Sequence, residues 1–228
     1  MCHLICHTDQ PLSNSDPMDI KANIRAIQAR IPPQVTLVAV TKTQSAETLQ
    51  AALDAGLRVF GENRVQEAKE HWAGKRAAYT DLELHLIGPL QTNKAREAVA
   101  LFDVIETVDR ERLVDALVAE MDRQNRQIAC YIQVNTGLEP QKGGVLPDDL
   151  DSLYRYCVGK NLTINGLMCI PPADADPKAH FEMLAAAARR LNLKHLSMGM
   201  SGDYETAIAM GSTHVRLGSI LFGARGGV

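Results

Sequence analysis

Lys42 is the residue whose placement most invites chemistry. It closes the run VAVTK (38–42), and Val38 and Val40 share its side of the pleat. Burial at the mouth of a barrel disfavours the charged form of an amine, and a neutral amine is what Schiff-base formation with an aldehyde requires. The competing reading is a lysine that snorkels to solvent from a strand end. Far along the chain, GMSG (199–202) precedes the helical run DYETAIAM. Its main-chain N–H groups and the Ser201 hydroxyl therefore fall at a helix N-terminus, a positively polarised end that takes phosphate without a lysine. Gly218 and Ser219 follow the last strand pattern, and barrels frequently hold phosphate between the loops after strands seven and eight. Ordinary turn chemistry explains either glycine pair alone; their joint placement favours an anion cradle. An amine facing an anion site describes an aldehyde that carries phosphate. Two ligands satisfy this, pyridoxal 5′-phosphate (PLP) or a sugar phosphate in a Schiff-base aldolase, and spacing alone leaves both open.

These groups meet only on a scaffold that brings strand ends together. Short β-branched runs fall at 36–42, 59–63, 83–88, 103–108, 129–135, 163–170, 195–199 and 214–219, each of a length expected for buried strands. Helical patterns lie at 20–30, 46–55, 64–73, 94–101, 109–126, 148–157, 177–191 and 203–210. Within the fifth of these, Leu113, Ala116 and Leu117 stand at i, i+3 and i+4, one face of a helix. Strict alternation means parallel pairing through right-handed crossovers. Eight such units fit a closed single-domain (β/α)8 TIM barrel better than an open sheet, with the helix at 20–30 preceding it. In that fold the working groups sit where strands end: Thr41-Lys42, Glu62-Asn63, the loop 88–94, Asn135, Met168, 199–202 and 216–219.

Composition narrows the classes. Among 228 residues, 24 Lys and Arg against 27 Asp and Glu leave a net charge of −3, which argues against nucleic-acid binding through bulk positive charge. Hydrophobic content of 46% and charged content of 22% are those of an ordinary globular chain. No apolar run approaches the ~18 residues of a membrane span, and the N-terminus lacks the basic and apolar regions of a secretory signal. Five cysteines, scattered through apolar segments, read as reduced thiols in the cytoplasm. Cys130, Cys157 and Cys169 read as small buried hydrophobes. Residues 1–18 read as a disordered extension ahead of one domain, 19–228. Cys2, His3, Cys6 and His7 are metal-ligand types, but zinc sites draw ligand pairs from separated segments, so no metal is expected.

With these residues in hand, the chain resembles the pyridoxal phosphate homeostasis proteins. The matching stretches are VAVTK (38–42), FGENRVQEA (60–68), HLIGPLQTNKAR (85–96), GLMCIPP (166–172) and LSMGMSGDYETAIAMGSTHVRLGSILFGAR (196–225). The resemblance implies a barrel like the N-terminal barrel of alanine racemase (fold type III of the PLP proteins), with PLP held as an internal aldimine on Lys42. It implies that Ser201, Gly218 and Ser219 hold the phosphate, that Arg216 faces the pyridine nitrogen and that Asn63 lies beside the cofactor. Ser219 stands where most members of the family have Thr, and either hydroxyl donates to phosphate. The implied function is intracellular PLP buffering or delivery, affecting amino- and keto-acid pools without strong turnover. The implied setting is a cytoplasmic monomer whose partners are PLP-dependent apo-enzymes or a regulatory protein, with neither nucleic acid nor membrane involved.

Two features of the residues agree with weak chemistry. Arginine is always charged and only donates, so Arg216, where the resemblance puts it, would hydrogen-bond an unprotonated pyridine nitrogen, whereas a carboxylate would strengthen the ring as an electron sink; taken alone, Arg216 reads as a strand-end salt bridge. A racemase of this fold also takes a second acid/base from a separate β domain, and the sequence ends shortly after Ser219. Tyr79, Tyr131, Tyr154, Tyr156 and Tyr204 read as packing residues, with Tyr204 the one nearest the phosphate loop. A weak PLP-dependent amino-acid racemase is the alternative function. His85 reads as a hydrogen-bonded core residue, and Glu62 as part of a polar network or the partner of a cation. The loop 91–96 reads either as a recognition surface carrying Lys94 and Arg96 or as a solvated helix start capped by Asn93.

Overall fold

Eight runs of β-branched and apolar residues become eight parallel strands: β1 (Thr36–Val40), β2 (Val59–Glu62), β3 (Glu83–Leu86), β4 (Val104–Val108), β5 (Ala129–Val134), β6 (Ile164–Cys169), β7 (His195–Ser197) and β8 (His214–Leu217). They pair in sequence order, and β1 closes on β8 with Thr36 opposite His214 and Val38 opposite Arg216, making a closed barrel. This computed structural model describes residues 20–223; Cys2, His3, Cys6, His7 and the extension that carries them lie outside the described residues.

The helices are α1 (Ile20–Arg30), α2 (Ala46–Asp54), α3 (Val65–Trp72), α4 (Lys75–Ala78), α5 (Ala95–Leu101), α6 (Glu111–Gln124), α7 (Leu150–Gly159), α8 (Pro177–Arg190), α9 (Tyr204–Ala209) and α10 (Ser219–Phe222). Local chemistry sets their ends. Ser45 caps α2 by accepting from the Thr48 amide, and Asn125 ends α6 in the left-handed conformation. On α6 the buried residues Leu113, Val114, Leu117 and Met121 form one stripe, and each fully buried side chain of this size contributes roughly 1.5–3 kcal/mol. The stripe belongs to the main apolar core, which also takes in the strand residues Ile105, Cys130 and Ile132. Cys130, Cys157 and Cys169 are buried and unpaired.

Three local expectations are corrected. Strand patterns overran the ladder at the C-terminal end, so Lys42, Asn63, Gly88, Asn135 and Gly199 lie just beyond the last paired residues. This is where the chain peels away from the sheet into its loops. Ser219, read as a strand end, instead opens α10. Asn93 caps nothing: it lies inside a 3-10 turn, Thr92–Lys94, and Lys94 precedes α5. The short α4 and a second 3-10 turn, Pro147–Asp149, were not foreseen.

The barrel has an outer apolar layer and a polar axis. Val104, Tyr131 and Met168 form a small cluster separate from the main core, and around it lie His85, Glu106, Ser197, His214 and Arg216, all buried. The Ser197 hydroxyl donates to Glu106 Oε2 at 2.5 Å. Because β7 and β4 are not neighbours in the sheet, that bond crosses the lumen.

Candidate functional site

At the C-terminal ends of the strands lies a cavity of about 320 Å³, near the lower bound of small-ligand pockets at roughly 300–1,000 Å³. Lys42, Asn63, Ser201, Arg216, Gly218 and Ser219 all line it, together with Val40, Ile87, Ile170 and Met200. The six residues singled out in the sequence are therefore brought to one place. Lys42 is half-buried and follows β1 directly. Thr41 before it is buried; its N–H donates to the Gly61 carbonyl at 3.1 Å and its hydroxyl to Glu62 Oε1 at 2.7 Å. Asn63 is held by the close approach of the next loop, since a Cβ on Gly88 would sit 2.2 Å from the Asn63 carbonyl oxygen.

The opposite wall is the corner between β7 and β8. Gly199 has φ +96°, and a Cβ there would meet the Ala207 Cβ at 2.6 Å, so only glycine lets the chain turn onto α9. The head of α9 partly caps itself: Met200 N–H donates to Asp203 Oδ1 at 2.6 Å, and the Tyr204 amide donates to the Met200 carbonyl. Of the amides of 199–202 expected to face an anion, that of Met200 is instead used within the turn, as are the following Asp203 and Tyr204 amides. Ser201, Gly202, Gly218 and Ser219 remain on the cavity wall. The Ile220 amide points at Ser201 Oγ from 3.5 Å, tying the two loops together.

Arg216 forms the floor and is 3% exposed. One terminal nitrogen donates to Ser197 Oγ at 2.7 Å and the other to the Cys169 carbonyl at 2.8 Å. From Ser197 the chain of contacts runs to Glu106, then from Glu106 Oε1 to His85 Nδ1 at 2.6 Å, then from His85 Nε2 to Glu83 Oε1 at 2.9 Å. Glu83 is half-exposed at the far rim. Burial opposes the His85 charge, but hydrogen bonds to Glu106 and Glu83, and their charges, outweigh it and push its pKa up to about 9. Burial likewise opposes ionisation of Glu106, yet the His85 hydrogen bond and the charges of His85 and Arg216 hold it below the usual carboxylate range. Burial, partly offset by Glu106, pushes His214 down to about 4. The axis thus alternates in sign, Arg216, Glu106, His85, Glu83, with His214 neutral beside it.

The alternation has a pH signature. A histidine whose folded pKa lies above its unfolded value stabilises the fold fully below about pH 6.5, and that contribution is lost as pH rises through the folded value. Stability is therefore expected to fall between about pH 6.5 and 9 by on the order of 3 kcal/mol. Urea midpoints measured across that window should show the slope in the wild type and lose it in His85→Gln. An identical slope in both would contradict a charged His85.

His85 lies in the core and is hydrogen-bonded, as expected from its place inside a strand, whereas Glu106 and Ser197 were not anticipated. A signal was present for the first: Glu106 stands inside the apolar run VIETV, where a charge is seldom buried without a partner. Nothing local indicated that the partners lie on β3, β7 and β8. Glu62 proves to face outward, accepting from Thr41, His71 Nδ1 (2.8 Å) and Trp72 Nε1 (3.0 Å), and burial pushes its pKa up. In the loop 91–96, Gln91 and Lys94 line a neighbouring groove of about 620 Å³ that shares Asn63. Lys94 pairs there with Glu97 at 2.8 Å, while Arg96 is exposed and lines neither cavity.

Comparison with known proteins agrees with this architecture. The family model for the N-terminal domain of alanine racemase matches residues 15–226, which defines the class as an alanine-racemase-type barrel. Alanine racemase from Clostridium difficile superposes with a TM-score of 0.72 at 12% identity, over 92% of this chain and 57% of that one, a likeness of fold alone. PipY of Synechococcus elongatus, in its structure with PLP bound, superposes with a TM-score of 0.80 at 36% identity, over 90% of this chain and all of that one. The pyridoxal phosphate homeostasis protein of Escherichia coli (strain K12) is 39% identical over 208 residues, 86% of this chain and 88% of the relative. That of Vibrio cholerae is 40% identical over 220 residues, covering 90% and 93%. The chain belongs to the pyridoxal phosphate homeostasis protein family.

Proposed function

We propose that the protein binds PLP as a Schiff base on Lys42 and buffers or delivers the cofactor in the cytoplasm, without strong turnover of its own. The observation that carries this reading is the convergence of a half-buried amine, a corner of two hydroxyls and two glycines, and a fixed guanidinium around one cavity. The residues fit the group. The corner at Ser201, Gly218 and Ser219 suits a phosphate, the Arg216 floor suits an unprotonated ring nitrogen, and Asn63 would lie beside the ring. When bound, PLP supplies an aldehyde that condenses with a neutral lysine amine.

The protein's own residues favour holding over reacting. Arg216 is locked by Ser197 and the Cys169 carbonyl, so it would donate to the ring without yielding a proton. Among the described residues the wall contains no tyrosine, histidine, cysteine or carboxylate beside Lys42 and Arg216. Tyr204, the tyrosine nearest the phosphate corner, is buried and gives its hydroxyl to Glu205 Oε1 at 3.1 Å. Both racemisation and aldol cleavage need a second proton carrier. The three described cysteines are unpaired thiols, and no described helix is long and apolar enough to cross a membrane. A monomer that hands PLP to apo-enzymes, or reports its level to a regulatory protein, is the working form we assign.

Two measurements test this. Ser201→Ala is expected to weaken PLP retention by about 10–100-fold, the worth of one hydrogen bond to a charged group, while the covalent adduct still forms. Unchanged retention would count against the phosphate placement. Turnover is read from exchange of the alanine α-proton in deuterated water: slow exchange is expected, and rapid scrambled exchange would establish the racemase instead.

A further inference from the structure

The turn that presents Lys42 is strained and held from outside. The Gln44 amide donates to the Thr41 carbonyl at 3.1 Å, so residues 41–44 close a turn with Lys42 and Thr43 at its centre. Thr43 has φ +61°. A turn of this kind ordinarily takes glycine or asparagine at that place, and a β-branched side chain there is a marked outlier. Such a conformation persists only where the surroundings determine it. The surroundings here are two carboxylates from the single segment GENRVQE (61–67). Thr43 donates its main-chain N–H to Glu67 Oε1, and Thr41 donates its hydroxyl to Glu62 Oε1. Glu62 is itself fully buried and fixed by Trp72 and His71. The two residues that flank Lys42 are thus pinned, Thr41 to the end of β2 and Thr43 to the first turn of α3.

We propose that Glu67, with Glu62 fixing Thr41 on the other side of the lysine, is a positioning residue for Lys42: by holding the Thr43 amide it keeps the turn left-handed and the Lys42 side chain directed at the cavity. The proposal rests on Lys42 being the amine that holds PLP. Glu62, Glu67 and His71 place potential ligand atoms within 4.8 Å of one another. Glu62 Oε1 and Glu67 Oε1 accept from donors of the protein, while Glu62 Oε2 is buried without a hydrogen-bond partner; the contacts on Thr41 and Thr43 are those of a clamp.

The test separates positioning from general stability. In Glu67→Ala, both PLP retention and the rate of borohydride-trappable adduct formation are expected to fall about tenfold. Glu67→Gln keeps an acceptor oxygen and should fall less. Glycine adopts positive φ without help, so adding Thr43→Gly to Glu67→Ala should restore adduct formation to within about threefold of the wild type. A merely structural loss at Glu67 would not be repaired from position 43. Wild-type behaviour of Glu67→Ala, or a double variant as impaired as the single one, overturns the proposal. An adduct that persists in Lys42→Ala instead overturns the reading on which the clamp rests, and the clamp with it.

Discussion

Glu106→Ala is expected to destabilise the fold by about 3–5 kcal/mol, the usual cost of removing one partner from a buried ion network. The substitution leaves Arg216 (3% exposed) and His85 (0% exposed) facing each other across the lumen with their shared counter-charge gone. It also removes the acceptor of the Ser197 hydroxyl, which frees the side chain that orients Arg216. Urea unfolding should show the loss directly, and the surviving folded fraction should retain PLP less well. Glu106→Gln keeps the shape and an acceptor, so its cost should be smaller. A Glu106→Ala protein within 1 kcal/mol of the wild type would mean that charge along the axis is balanced elsewhere.

That axis also marks the limit of what the sequence makes legible. Lys42, Asn63, Arg216 and Gly218 stand at strand ends, which strand patterns of period two locate to within a residue or two; that Asn63 and Arg216 belong with a cofactor came from the resemblance, not from their positions. What holds Arg216 was not found. Ser197 and Glu106 lie 91 residues apart in sequence and meet only because the sheet closes, and no local periodicity reports a contact across a lumen. Ser219 was misplaced for a different reason: SILF is four apolar or small residues, too few to separate a strand from a helical turn. The loop at 199–202 was read as a set of free amides because sequence shows donors but not their uses; Asp203 reaches back to Met200. Thr43 gave no sign at all, since threonine is a residue that sequence patterns assign to strands.

The second large effect is expected at the lysine itself. Lys42→Ala should lose the covalent link and the yellow colour, and its retention of PLP should fall on the order of 100-fold or more, because only the phosphate and ring contacts remain. Lys42→Arg is the informative companion. It preserves length and charge but offers no amine that can become neutral, so it should fail as completely as alanine. Both variants should unfold within about 0.5 kcal/mol of the wild type, as expected for a half-buried side chain outside the core. If Lys42→Arg keeps the colour, the amine that binds the cofactor is a different one.

The most direct measurement is mass spectrometry after incubation with PLP, borohydride reduction and proteolysis of the wild-type protein. One phosphopyridoxyl group is expected, carried on the peptide that contains Lys42. A reduced adduct on another lysine, or none on a protein that still retains PLP, would contradict it.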